Sequence, residues 1–168
     1  MISLTSSENS TVNSTAATKR LARAIMVSAG EFSLILVCCN SVERQQQVLN
    51  LLTEFSPADI HEILLTPATD TLYTAITTAI GSTQPEALMV RGLESVVAIN
   101  QLIISTNIMR DEFRKQFKFP LVLWVNDEIL SKLVWLAPDF KDWAASTIRF
   151  DVVESVSSEP ALCAVLGH

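Results

Sequence analysis

The residues best suited to chemistry fall at two places in this chain. One is Cys38-Cys39-Asn40-Ser41-Val42-Glu43-Arg44, between an apolar run and a helical pattern. At such a strand-to-helix turn the helix N-terminal amides point outward and attract anions, phosphate above all. Gripping a nucleotide there also takes glycines that let successive amides curl round the phosphates, a lysine for the outer phosphates and a hydroxyl for magnesium. The turn has no glycine and no lysine, and Glu43 puts negative charge where a phosphate would sit. Its residues favour a tight self-capped turn, with Asn40 as helix N-cap and Glu43 closing a capping box.

The spacing of Cys38 and Arg44 is also that of the thiolate nucleophile and phosphate-gripping arginine of tyrosine phosphatases. Those enzymes cradle the phosphate with glycine and backbone amides, and a buried cysteine ending a strand is the simpler reading here. The second place is the polar end of FPLVLWVNDE, Phe119–Glu128. Asp127 and Glu128 could act as general acid and base or hold magnesium, although an N-cap is the simpler role for Asp127. Arg91-Gly92-Leu93-Glu94 closes a third apolar run in the same manner. His61 has no Cys or His at ligand spacing and His168 is terminal, so no metal site is expected. Trp124, Trp135 and Trp143 read as core packing. Asp111, Glu112, Arg114 and Lys115 read as a solvated helix end of weak ion pairs, with a docking face as the alternative.

The elements that must position these residues follow from the apolar pattern. FPLVLWV has a proline at its start and no polar alternation, which reads as a strand buried on both faces. The spacing predicts strands at Phe32–Cys39, Ile60–Leu65, Ala87–Val90, Pro120–Val125 and Thr147–Val153. Helices are expected over 16–29, from Asn40 to about Glu54, from a cap at Asp70 to Gly81, and over most of Val96–Phe117. Further helices start at Asp127 and Pro138, and a last one covers Glu159–Leu166. Connections that long suit right-handed parallel crossovers, giving a three-layer, doubly wound α/β fold with a mainly parallel five-stranded sheet. In that architecture the carboxyl edge of the strands is where ligands or partners sit. Residues 1–15, rich in Ser, Thr and Asn, are expected to form a disordered tail, and 16–168 a single α/β domain.

Bulk properties narrow the function classes. A chain of 168 residues can bury about 70% of its unfolded surface as one domain. Its 18% of charged residues falls below the usual level of about 25%, which suits a buried sheet and an apolar face meant for another domain. A net charge of −6 without a basic run argues against nucleic acid. Three cysteines, two of them adjacent, imply no disulfide framework and fit a reducing cytoplasm. No apolar stretch reaches the roughly 18 residues of a membrane span. Lys19, Arg20 and Arg23 ahead of Ala24–Ala29 faintly mimic a signal peptide, but Gly30 and Glu31 interrupt it and no cleavage site follows.

FPLVLWVNDEILSKLVWLAPDFKDWAASTIRF resembles a segment of the amino-terminal regions of large bacterial, notably cyanobacterial, tetratricopeptide-repeat proteins. ALMVRGLESV, NIMRDEFRKQF and FSLILVCCNSVERQQQVLNLL are similar to neighbouring strands and helices of those proteins, in the same order, so the resemblance covers about residues 30–153. That family looks like a signalling (STAND-type) relative of the P-loop NTPases whose phosphate loop is eroded. The resemblance implies a P-loop NTPase-like shell without a working Walker A sequence. It places Arg91–Glu94 at the metal-binding strand end, where this chain has no aspartate, and Asn126 and Asp127 at the sensor strand end. It also implies a helical-repeat domain beyond the α/β unit, and PALCAVLG suits a surface that meets such a continuation.

Two functions are therefore expected. One is a non-catalytic regulatory or scaffolding domain, cytoplasmic and without a cofactor, docking a protein partner or a downstream helical-repeat domain through Asn40, Ser41, Arg44, Arg91, Glu94, Asn126 and Asp127. The other is a nucleotide-binding, ATPase- or GTPase-like domain, in which Arg44 or Arg91 grips phosphate and Asp127 or Glu94 holds magnesium or activates water, with ATP and Mg²⁺ as ligands.

Overall fold

The computed structural model of the chain describes residues 2–56 and 58–150. Two apolar runs form the centre of the sheet: β1 (Ser33–Cys38) and β4 (Pro120–Val125), the latter buried at every position. They pair in parallel from Ser33 opposite Pro120 to Cys38 opposite Val125. With β2 (Ile60–Leu64), β3 (Ala87–Arg91) and β5 (Thr147–Arg149) they make a five-stranded, all-parallel sheet in the order β2-β3-β4-β1-β5.

That order dictates the layers. Crossovers between parallel strands are right-handed, so the direction of travel along the sheet fixes the face each helix covers. The step from β1 to β2 runs one way, while β2 to β3, β4 and β5 runs the other. The helix of the first step, α2 (Val42–Phe55), therefore lies opposite the rest. It shares its face with α1 (Ile2–Val27), where Leu21, Ile25, Val48 and Leu52 pack on Val37, Met89 and Trp124. The other face carries α3 (Leu72–Ile80), α4 (Ile99–Ile108), α5 (Arg110–Gln116), α6 (Asp127–Leu136) and α7 (Pro138–Lys141). Its core is aromatic: Phe113 meets the rings of Phe32, Tyr73, Phe117 and Phe140 at centroid distances of 5.4–6.5 Å.

The expected α/β class, three layers and five strands are all present, and the sheet is parallel throughout. Several boundaries differ. The leading helix, expected over 16–29, runs Ile2–Val27, so its backbone takes in the stretch read as a tail. Buried Thr18 donates its hydroxyl hydrogen bond to the Ser14 carbonyl (2.6 Å) within it. The long helix expected over Val96–Phe117 begins at Ile99 and breaks at Met109 into α4 and α5. β2 is an edge strand with His61, Glu62 and Leu64 exposed. β5 ends at Arg149, although the Phe150 N–H still bonds the Cys38 carbonyl (3.1 Å). Residues 151–153 of the expected strand and the helix expected at 159–166 lie outside the described residues.

Three N-caps are each displaced by one residue. Ser41 rather than Asn40 caps α2 by accepting the Arg44 N–H (3.2 Å), and Thr71 rather than Asp70 caps α3 through the Thr74 N–H (3.1 Å). Asn126 rather than Asp127 caps α6 through the Ile129 N–H (2.8 Å). A cap side chain reaches the amide three residues on, so one shift moves every partner. With Ser41 as cap, the third helical residue is Arg44, and the capping box expected of Glu43 cannot close.

Candidate functional site

The connections leaving β1 and β4 head in opposite directions, β1 through α2 to the far edge and β4 through α6 and α7 over to β5. These neighbouring strands thus flank the topological switch point, where a doubly wound sheet opens a crevice at its carboxyl edge. Cys38, the last residue of β1, stands level with Val125 of β4 and Arg149 of β5.

Because Ser41 and Asn126 serve as the caps, their neighbours Asn40 and Asp127 are left to face each other across the crevice. The Asn40 amide donates to the Asp127 carboxylate (Nδ2 to Oδ2, 2.9 Å) and accepts the Asp127 backbone N–H (2.9 Å). Arg149 Nη1 donates to Asp127 Oδ1 (2.9 Å), and the Cys38 thiol lies 3.4 Å from the same oxygen. Arg149 Nη1 also lies 3.5 Å from Cys38 Sγ. One carboxylate thus ties the tips of β1, β4 and β5. The Arg149 hydrogen bond, then those of Asn40 and Cys38, hold Asp127 below the ordinary 3.8, against a small opposing effect of burial. The side chain is still 61% exposed, so water screens the pair.

The other expected site residues go elsewhere. Arg44 Nη1 donates to the Phe150 carbonyl (2.7 Å) and to Ser14 Oγ (3.1 Å), fastening α2 to α1 and to the end of β5. Cys38 is the fully buried last residue of β1, as the simpler reading expects, and the guanidinium beside its thiol is Arg149, not Arg44. Arg91, at the tip of β3, donates to Glu62 on β2 and to Gln45 on α2 (3.3 Å). Glu94 is exposed in the 3-10 turn Leu93–Ser95. That turn requires Gly92, whose φ is +90° and whose Cβ would stand 3.0 Å from the Leu65 carbonyl oxygen.

The expected set therefore divides. Asn40 and Asp127 meet, Ser41 and Asn126 cap the helices beside them, and Arg44, Arg91 and Glu94 belong to separate local arrangements. Arg149 is the residue that sequence reasoning missed. The expected span to Val153 puts it mid-strand, whereas it is the last residue of β5. A lone charge after the buried Ile148 was the available signal.

Among the described residues no group of three or more His, Cys, Asp and Glu could hold a metal ion. His61 is half-exposed and 4.0 Å from the Asp59 carboxylate. Among the described residues no helix is long and apolar enough to cross a membrane. Comparison of the chain with protein-family models, with curated proteins and with solved structures gave no match.

Proposed function

We propose that this chain is a regulatory or scaffolding α/β domain, a P-loop-like shell without a working phosphate loop, that acts by docking a protein partner or a helical-repeat domain in signalling. The observation that carries the reading is the cross-tied carboxyl edge. The position where a nucleotide phosphate would sit is spanned by Asn40 and Arg149, each bonded to Asp127. An anion seated there would approach Asp127, held anionic, and would compete with it for Arg149. The Ser41 hydroxyl already occupies the Arg44 amide of α2.

The docking half of the reading is supported by the helices that run back from that edge along one face of the sheet. Asn100 and Asn107 of α4 reach Lys132 Nζ of α6 (2.9 Å) and the Phe140 N–H of α7 (2.9 Å), so this side of α4 faces α6 and α7. Ile104 lies on the same side between them, and Trp135 follows Lys132 by one turn. Ile104, Ile108 and Trp135 are exposed to 42%, 72% and 80%, an arrangement of large side chains that anchors partners in known interfaces.

The experiment is isothermal titration of the whole chain with Mg·ATP and Mg·GTP, alongside partner capture by the wild type and Trp135→Ala. The reading expects no nucleotide binding tighter than about 100 μM and a partner lost on Trp135→Ala. Tighter binding that disappears in Asp127→Ala and Arg91→Ala would replace it with the nucleotide-binding alternative.

A further inference from the structure

The seam between α1 and α2 opens, towards the amino edge of the sheet, into an apolar groove. Ala22, Met26, Val27 and Phe55 floor a hollow of about 500 Å³, with Lys19 and Arg23 on its rim. A second hollow of about 580 Å³ continues past Met26 to Ala29, Pro85 and Glu86. Met26 lines both, so the two adjoin there, and the pair is termed a trough.

Lys19, Arg23, Met26 and Val27 recur at helical spacing and form one face of α1. Met26 and Val27 are 50% and 77% exposed. Lys19 lies over the Phe55 ring, 5.4 Å from its centroid, holding a positive charge against the apolar floor. Arg20 and Arg23 are exposed, and among the described residues neither has an ion pair. Three of the chain's twelve bases thus stand within five residues beside a trough, on a chain of net charge −6. The far end of the trough carries Glu86, whose carboxylate accepts the Asp59 N–H. The trough is therefore electrically polar, positive at the Lys19 end and negative at the Glu86 end.

We propose that this trough binds an acidic amphipathic helix of another protein. Apolar side chains one turn apart would seat on Met26, Val27 and Phe55, while carboxylates pair with Lys19, Arg20 and Arg23. The charge gradient orients the ligand, with its most acidic turn at the Lys19 end. Methionine suits such a floor because its unbranched thioether repacks around different side chains. An anionic membrane would also meet the bases, but Glu86 at the far end of the same surface would face the lipid headgroups and oppose it. The groove lies at the edge opposite Asn40 and Asp127 and on the face opposite Trp135, so it stands or falls independently of the docking reading above.

The test is selection of a display library of helical peptides on the whole chain, with the enriched peptides measured by fluorescence anisotropy. Enriched sequences are expected to carry Asp or Glu beside apolar residues at i, i+3, i+4 and i+7. Their affinity should fall roughly tenfold or more on R20E/R23E and on M26D, and replacing their acids by lysine should restore binding to R20E/R23E. Both variants alter exposed side chains, and unchanged urea midpoints establish that they remain folded. No enrichment, or peptides that bind these variants as well as the wild type, would overturn the proposal. So would binding of the whole chain to phosphatidylserine vesicles that R20E/R23E abolishes, which would assign the surface to a membrane.

Discussion

Deleting the Asp127 carboxylate charge, by Asp127→Asn, should loosen three strand tips by a small and measurable amount. The carboxylate accepts from Arg149, Asn40 and Cys38, but Asp127 and Arg149 are 61% and 41% exposed. At that exposure an ion pair contributes about 0.5 kcal/mol, within a range of about 0.2–1. A double-mutant cycle of Asp127→Asn with Arg149→Met, read by urea unfolding, isolates this coupling from each residue's other contacts. Its pH dependence has a fixed sign. The folded state holds Asp127 below 3.8, so on acidification the unfolded chain takes up the proton first. The coupling is fully present above the unfolded value and is lost as pH falls through the folded value. Wild type should therefore lose about 0.5 kcal/mol more than Asp127→Asn as pH falls from neutral to well below 3.8. At 1 M salt, where the Debye length is about 3 Å, the coupling at neutral pH should shrink. Zero coupling at low salt, or coupling that survives full protonation, would refute the cross-tie.

Two further substitutions separate local geometry from packing. Gly92→Ala should cost about 2–4 kcal/mol and lower the urea midpoint at constant slope, because a left-handed φ and a backbone contact at 3.0 Å both oppose the methyl group. Phe113→Ala should cost about 3–5 kcal/mol, since that ring is fully buried among four others, whereas Trp135→Ala at 80% exposure should stay within about 0.5 kcal/mol.

The layers were legible because a strand buried on both faces leaves an unbroken apolar run, as in SLILVC and PLVLWV. At IHEIL the polar His61 and Glu62 interrupt the run, and this strand lies at the sheet edge with both exposed. Strand order is not written in any local pattern, so neither the Arg91–Glu62 pair nor the arrival of Arg149 beside Cys38 could be foreseen. Both depend on which strands are neighbours and in what register. The caps failed for a narrower reason. Asn40-Ser41, Asp70-Thr71 and Asn126-Asp127 each offer two adjacent cap-forming residues, and propensity hardly separates Asn, Asp, Ser and Thr. At the crevice that one-residue difference decides everything, because the residue that does not cap is the one that reaches across.

Whether the first strand-to-helix turn can still receive an anion is best read from the amides of residues 40–44 in an NMR titration of the whole chain with Mg·ATP and with inorganic phosphate. The self-bonded edge predicts that these resonances stay in place at millimolar ligand. A saturable shift centred on them, with the Asp127 amide moving in step, would contradict it.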